Sequence, residues 1–219
     1  MSFEGFISTA SEVGRTALEG INNTASSVRS EFPSMFERPE NIQNSEGVKS
    51  PRIENIDGKK HYYDDNGNLY RVNNELVPDN NYEVKGYKYE TDGKGRITSA
   101  EGELHLKDRE GRLKIKDSIE DIGKGDQRET DDRGHLIGDQ FDGSNGLENM
   151  IPQDAEVNRN DFRKFENQLA EEVKNGKNVS VKIEPVYEDN SHRPSDIIAS
   201  YNINGQENVR VFPNSKENL

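Results

Sequence analysis

Between two sets of β-prone segments, Asp154 to Lys174 carries a sustained helical signature. Val157, Phe162, Phe165, Leu169 and Val173 make one apolar stripe at three- and four-residue spacing. Asp154, just after Pro152, is an N-cap, and Asn175-Gly176 is a C-terminal stop. Upstream, Gly86 to Glu90 predicts a short strand, Gly93-Lys94-Gly95 a turn and Arg96 to Leu106 a longer strand; Leu113 to Lys116 alternates and predicts another. The charged, Gly-containing stretch from Ser118 to Asp131 reads as a mobile loop. Downstream, Val179 to Tyr187, Ile197 to Ile203 and Val209 to Phe212 read as strands, punctuated by Ser191 to Pro194 and by Asn204-Gly205. Strands, one helix, then strands predict an α+β fold with a mainly antiparallel sheet.

The N-terminal part has a different character. Phe6 to Val28 predicts a weak helix, with Ile7, Ala10, Val13, Ala17, Ile21 and Ala25 in helical spacing and Gly14 and Gly20 weakening it. Glu31 to Arg52, with Pro33, Pro39 and Pro51, reads as linker. Ile53 to Val77 predicts a small hairpin around Asn66-Gly67. Two strands alone are marginal, so this hairpin must lean on something else. The expected division is a helix and linker over residues 1–52, a hairpin or connector over 53–81, and the main domain over 82–219.

Composition narrows the chemistry. With 219 residues and 29% hydrophobic content, the chain supports one domain of moderate size. The absence of Cys excludes a thiol nucleophile, a disulfide framework and Cys-ligated zinc. No apolar run approaches a membrane span, and Met1 to Ala10 lacks a basic segment followed by an apolar one, so no classical signal peptide is expected. A formal net charge of -13 argues against bulk electrostatic binding to a polyanion. Chemistry on nucleic acid would have to rely on a locally positive cleft and a metal ion.

The candidate residues cluster between 132 and 166. His135 follows Gly134 and precedes Leu136-Ile137, which suits an imidazole at a strand edge with buried neighbours. Its ordinary pKa lets it take a proton from water near neutral pH. Arg133, two residues earlier, lies on the same side of the strand and could hold a phosphate. Asn158 and Glu166 are eight residues apart, on roughly the same side of a helix. An amide oxygen can bind Mg²⁺ while leaving most positions to water and substrate, and Glu166 can accept hydrogen bonds from metal-bound waters.

In order and spacing, Asp132-Arg133-Gly134-His135, then Asn149-Met150-Ile151-Pro152-Gln153, then Asn158 and Glu166 resemble the motifs of the DNA/RNA non-specific endonuclease family. The resemblance is specific over about Asp131 to Glu172 and looser elsewhere. It implies a ββα-metal site in which His135 is the general base and Asn158 the ligand of one divalent cation, Mg²⁺ or alternatively Mn²⁺. Glu166 would meet the metal's waters, Asn149 would orient the site, and Arg133 would support the substrate or those waters. Ala170 stands where secreted members often carry a further Arg, so Arg163, Lys164 or Arg96 would supply phosphate contacts instead. The compact spacing between His135 and Asn149 looks most like the C-terminal nuclease domains of bacterial polymorphic toxins exported by type VII systems. That likeness implies DNA, with RNA also chemically allowed, as substrate, a cognate immunity protein, and secretion followed by action in the cytoplasm of a target cell.

Two other classes compete. A nuclease-like binding module without catalysis predicts that His135, Asn158 or Glu166 is missing, and all are present. A zinc hydrolase built on His105, His135 or His192 predicts an HExxH-like spacing, and none exists.

Overall fold

Asn66-Gly67 does mark a chain reversal, but the strands near it number four. The computed structural model describes residues 50–215. The helix expected over residues 6–28 and the linker before residue 50 lie outside the described residues. Strands β1 (Arg52–Ile56), β2 (Lys59–Tyr63), β3 (Leu69–Val72) and β4 (Glu75–Leu76) form an antiparallel meander in sequence order. Buried Asp64 builds the reversal between β2 and β3: its carboxylate accepts from the backbone N–H of Asn66 at 3.0 Å and of Asn68 at 2.7 Å.

The rest is organised around a six-stranded antiparallel sheet. β5 (Asn81–Val84), β6 (Tyr87–Thr91) and β7 (Ile97–Glu103) form one half. β10 (Val179–Val186), β11 (Asp196–Ile203) and β12 (Gln206–Pro213) form the other, and β10 pairs with β7 at the centre. Between the halves the chain makes helix α1 (Ile119–Gly123), a two-stranded ribbon of β8 (Asp131–His135) and β9 (Met150–Asp154), a π-helical turn over Val157–Phe162, and helix α2 (Arg163–Lys174). The predicted α+β, mainly antiparallel architecture is what forms.

The predicted apolar stripe becomes the core contact. Phe162 and Phe165 pack on the sheet: Phe162 meets Phe212 at 5.1 Å between ring centroids, and Phe165 meets Tyr201 at 5.2 Å. Truncating a ring such as the almost fully buried Phe165 costs about 3–5 kcal/mol. The Asp154 carboxylate accepts from the N–H groups of Glu156 and Val157, the capping role read from sequence. The chain leaves α2 through Gly176 at φ 76.

The meander does lean on this body. Tyr70, Tyr82 and Tyr89 stack in series at 5.0 and 5.3 Å. Arg71 of β3 is buried and forks onto the Asp117 carboxylate, with Glu148 3.7 Å away.

Two local expectations fail. Leu113 to Lys116 forms neither strand, helix nor turn, because its backbone bonds go elsewhere. Leu113 N–H donates to the Asp139 carboxylate, Lys116 N–H donates to the Asn145 carbonyl, and the Lys114 carbonyl accepts from the Asn145 amide. Ser118 to Asp131 is not simply a loop either. Ser118 and Asp121 cap each other reciprocally and nucleate α1, with Ile122 buried beneath.

Candidate active site

The ribbon of β8 and β9 presents the motif residues, and the helical segment that follows completes a ββα unit. His135 pairs with Met150, Gly134 with Ile151 and Asp132 with Gln153. Gly134 is required by packing, since any side chain there would collide with the buried Gln153 amide. His135 ends the strand at 6% exposure, and its Nε2 is buried with no hydrogen-bond partner among the described residues.

Burial pulls the His135 imidazole down to about 4, with Arg112 and Arg133 pressing the same way and Asp139 opposing. The ring is therefore neutral at neutral pH and able to accept a proton. Asn149 is fully buried and uses its whole amide to stitch the chain beyond His135. Oδ1 accepts from Ile137 N–H at 2.9 Å, and Nδ2 donates to the Ile137 and Ser144 carbonyls, each at 2.8 Å. It orients this segment and has no donor left for a ligand.

Asn158 sits in the π-helical turn. Eight residues of regular α-helix would leave Asn158 and Glu166 about 80° apart around the axis. The wider i→i+5 winding from Val157 to Phe162 advances less per residue and so rotates Asn158 back toward the Glu166 side. Asn158 Nδ2 donates to Asp132 Oδ2 at 3.0 Å, which turns Oδ1 away as the free face of the amide. Arg159 grips the same Asp132 carboxylate at 2.8 and 2.6 Å. Burial works to raise the pKa of Asp132, but the hydrogen bonds from Arg159 and Asn158 hold it below the usual carboxylate value. Half-buried Glu166 nestles against Gly138, where a side chain would collide with its carboxyl. Removal from water pushes Glu166 up to about 7; Arg112 works against this and Asp139 adds to it.

One site residue has no motif to announce it. Arg112 is exposed, in the strap between β7 and α1, yet its charge acts on His135, Asp132 and Glu166 alike. Asp139 holds the strap in place. Lys107 at 2.6 Å, Arg109 at 2.5 Å and Leu113 N–H at 3.1 Å all reach its carboxylate, and against the effect of burial they draw its pKa down to about 2. The alternation of Leu113 to Lys116 is visible in the sequence, but nothing in the order of residues says which element it lies against or that Arg112 beside it faces the site.

The weaker substrate candidates fare differently. The Arg96 guanidinium is taken up by Asp92 and by the Asp189 and Ser191 carbonyls and lies over the Tyr187 ring, none of them a site residue. Arg163 and Lys164 are exposed on the first turn of α2, with no paired group among the described residues. Arg133 is exposed and donates to the Asp117 carbonyl at 3.1 Å.

One ββα unit thus brings together a buried imidazole, an amide held by Asp132 and the half-buried Glu166 carboxyl. The model of the DNA/RNA non-specific endonuclease family matches residues 78–205, more than half of the chain, and the chain belongs to that family. It is 31% identical over 180 residues to the type VII secretion system protein EssD of Staphylococcus aureus (strain USA300), covering 79% of this chain and 28% of that protein. It is 33% identical over 100 residues to the probable deoxyribonuclease RhsA of Dickeya dadantii (strain 3937), covering 44% of this chain and 7% of that protein. The chain therefore spans under a third of the length of these relatives. A solved structure of the Sda1 nuclease aligns over 59% of this chain and 76% of its own, at 20% identity and a TM-score of 0.44. Among the described residues no helix is long and apolar enough to cross a membrane.

Proposed function

We propose that this chain is a nuclease, an endonuclease dependent on one divalent cation, Mg²⁺ or alternatively Mn²⁺, and that it hydrolyses DNA, with RNA as a second substrate. The observation that carries the reading is one ββα unit holding an imidazole with an unpartnered ring nitrogen, an amide oxygen left free by Asp132, and the half-buried Glu166 carboxyl. These residues fit a hard cation. Asn158 Oδ1 would be its protein ligand, and Glu166 would accept hydrogen bonds from its waters. Once bound, the ion would neutralise charge developing on the phosphate and on the departing 3′-oxygen. Among the described residues no three His, Cys, Asp or Glu side chains converge as a metal cage, which favours this sparse, water-rich site over a zinc centre.

His135 takes the proton from the attacking water. The new bond forms between that water's oxygen and phosphorus, the bond to the 3′-oxygen breaks, and the product carries a 5′-phosphate. Arg112 and Arg133 keep the imidazole in its basic form and lie where a phosphate can be held. Asn149 fixes the chain behind His135. The likeness to the type VII secretion system protein EssD supports export by such a system; with the motif resemblance, the reading is a toxin kept harmless in the producer by an immunity protein and acting in the cytoplasm of a competitor. The likeness to RhsA supports DNA as substrate.

Plasmid cleavage by the purified chain with Mg²⁺ or Mn²⁺, against EDTA, tests the reading. His135→Ala is expected to lose about 10²–10⁴-fold in rate, and Asn158→Ala to lose its response to the cation. Full activity of His135→Ala, or cleavage unaffected by EDTA, would sink it.

A further inference from the structure

An acidic chain that cuts a polyanion needs a local place to gather phosphates. Most cations around the site are already neutralised: Lys107 and Arg109 by Asp139, Lys85 by Asp142, Arg159 by Asp132, Arg71 by Asp117, and Arg193 by Asp131. Three neighbours in the strap are not. Arg112, Lys114 and Lys116 are all exposed and have no carboxylate partner among the described residues.

Their spacing is regular. Ile115 packs against the core and Asp117 is buried, while Arg112, Leu113, Lys114 and Lys116 face solvent. Alternate residues in extended backbone lie about 6.5 Å apart, close to the separation of successive phosphates along one strand of nucleic acid. The strap is also fixed, through Leu113 to Asp139, Lys114 and Lys116 to Asn145, and the Asp117 carbonyl to Arg133. Both ends adjoin the site: Arg112 acts on His135 and Glu166, and Arg133 acts on His135. Asp108 and Glu110 are exposed before the Gly111 turn, whereas the run from Arg112 to Lys116 contains no acidic residue.

We propose that Lys114 and Lys116 continue from Arg112 as a rail that binds consecutive backbone phosphates of the substrate strand beside the scissile bond. This rests on the nuclease reading above, and deepens it by naming where the strand runs. Contacts of this kind carry no base preference and are strongly salt-dependent.

The test uses Lys114→Gln/Lys116→Gln in a His135→Ala background, with binding of short DNA followed by anisotropy over a salt series. Losing two phosphate contacts should make the slope of log K against log salt shallower by about 1.8 for a duplex and about 1.4 for a single strand. Lys114→Arg/Lys116→Arg should keep the original slope, and Lys59→Gln/Lys60→Gln, on β2, should leave it unmoved. In the catalytic chain, kcat/KM of the double Gln variant should fall at about 0.15 M salt and recover as salt is lowered. An unchanged slope while the wild type cleaves DNA overturns the rail and leaves the nuclease intact. A shallower slope from a wild type that does not cleave supports the rail as a polyanion site and overturns the catalytic reading instead.

Discussion

The amide of Asn158 can present either an oxygen or an NH₂, and only the oxygen serves a cation. Asp132 makes that choice, because its carboxylate accepts Nδ2 at 3.0 Å and can accept nothing from Oδ1. Asp132→Ala is therefore expected to weaken Mn²⁺ binding by about 10–100-fold, read directly by titration of the free ion. Arg159→Ala should do much less, since Arg159 is 69% exposed and such pairs contribute about 1 kcal/mol or less. If Asp132→Ala binds Mn²⁺ like the wild type while Asn158→Ala does not, Asp132 has no orienting role. At this scale the sequence was most legible where residues are contiguous. Asp132 to His135 and Met150 to Gln153 occupy facing strands, with Asn149 directly before the second, so the motifs are local structure as well as local sequence. Arg112 was not legible, because what brings it to His135 is the carboxylate of Asp139, 27 positions along the chain.

Among the elements, the meander depends on one buried ionic group. Arg71, Asp117 and Glu148 have side chains 5, 8 and 6% exposed. They connect β3 to the start of α1 and to the residue before Asn149. Removing the guanidinium would leave two carboxylates in a site poor in water, a loss of about 3–5 kcal/mol. Arg71→Ala should accordingly lower the denaturant midpoint sharply, whereas Arg52→Ala, whose partner Glu54 is 39% exposed, should barely move it. Equal midpoints for the two variants would mean that the Arg71 group contributes no more than a surface pair. None of this could be read from residues 53–77 alone. The hairpin signal at Asn66-Gly67 is local, but the partners of Arg71 are 46 and 77 positions away. Helix α1 was missed for a different reason. Its Ser118–Asp121 capping box is present in the sequence, but the helix covers only five residues, too few for a periodic stripe. The π-helical turn had no sequence signal, yet it is what rotates Asn158 toward Glu166.

Across the whole molecule, three titrating groups shape how the metal-free fold responds to pH. His135 is drawn from an ordinary 6.5 to about 4, so its contribution to stability is complete above 6.5 and is lost as pH falls through 4. Asp139 is drawn from 3.8 to about 2, so its contribution is complete above 3.8 and is lost as pH falls through 2. Glu166 runs the other way. Raised from 4.5 to about 7, it favours the folded state fully below 4.5, and that contribution is lost as pH rises through 7. Between about 4.5 and 6.5 the His135 and Glu166 effects oppose each other, and in EDTA the wild type should show a near-flat stability curve over that window. Glu166→Gln removes one side of the balance while keeping the shape of the side chain. Its stability should climb with pH from about 4 to 6.5 and exceed the wild type at pH 8 by on the order of 1–3 kcal/mol. The same variant should lose cleavage, because the carboxyl that destabilises the empty fold is the one proposed to meet the metal's waters. Chemical denaturation at a series of pH values measures both curves. Parallel curves for the two proteins would mean that Glu166 titrates as an ordinary surface carboxylate, and the cation site would have to be sought without it.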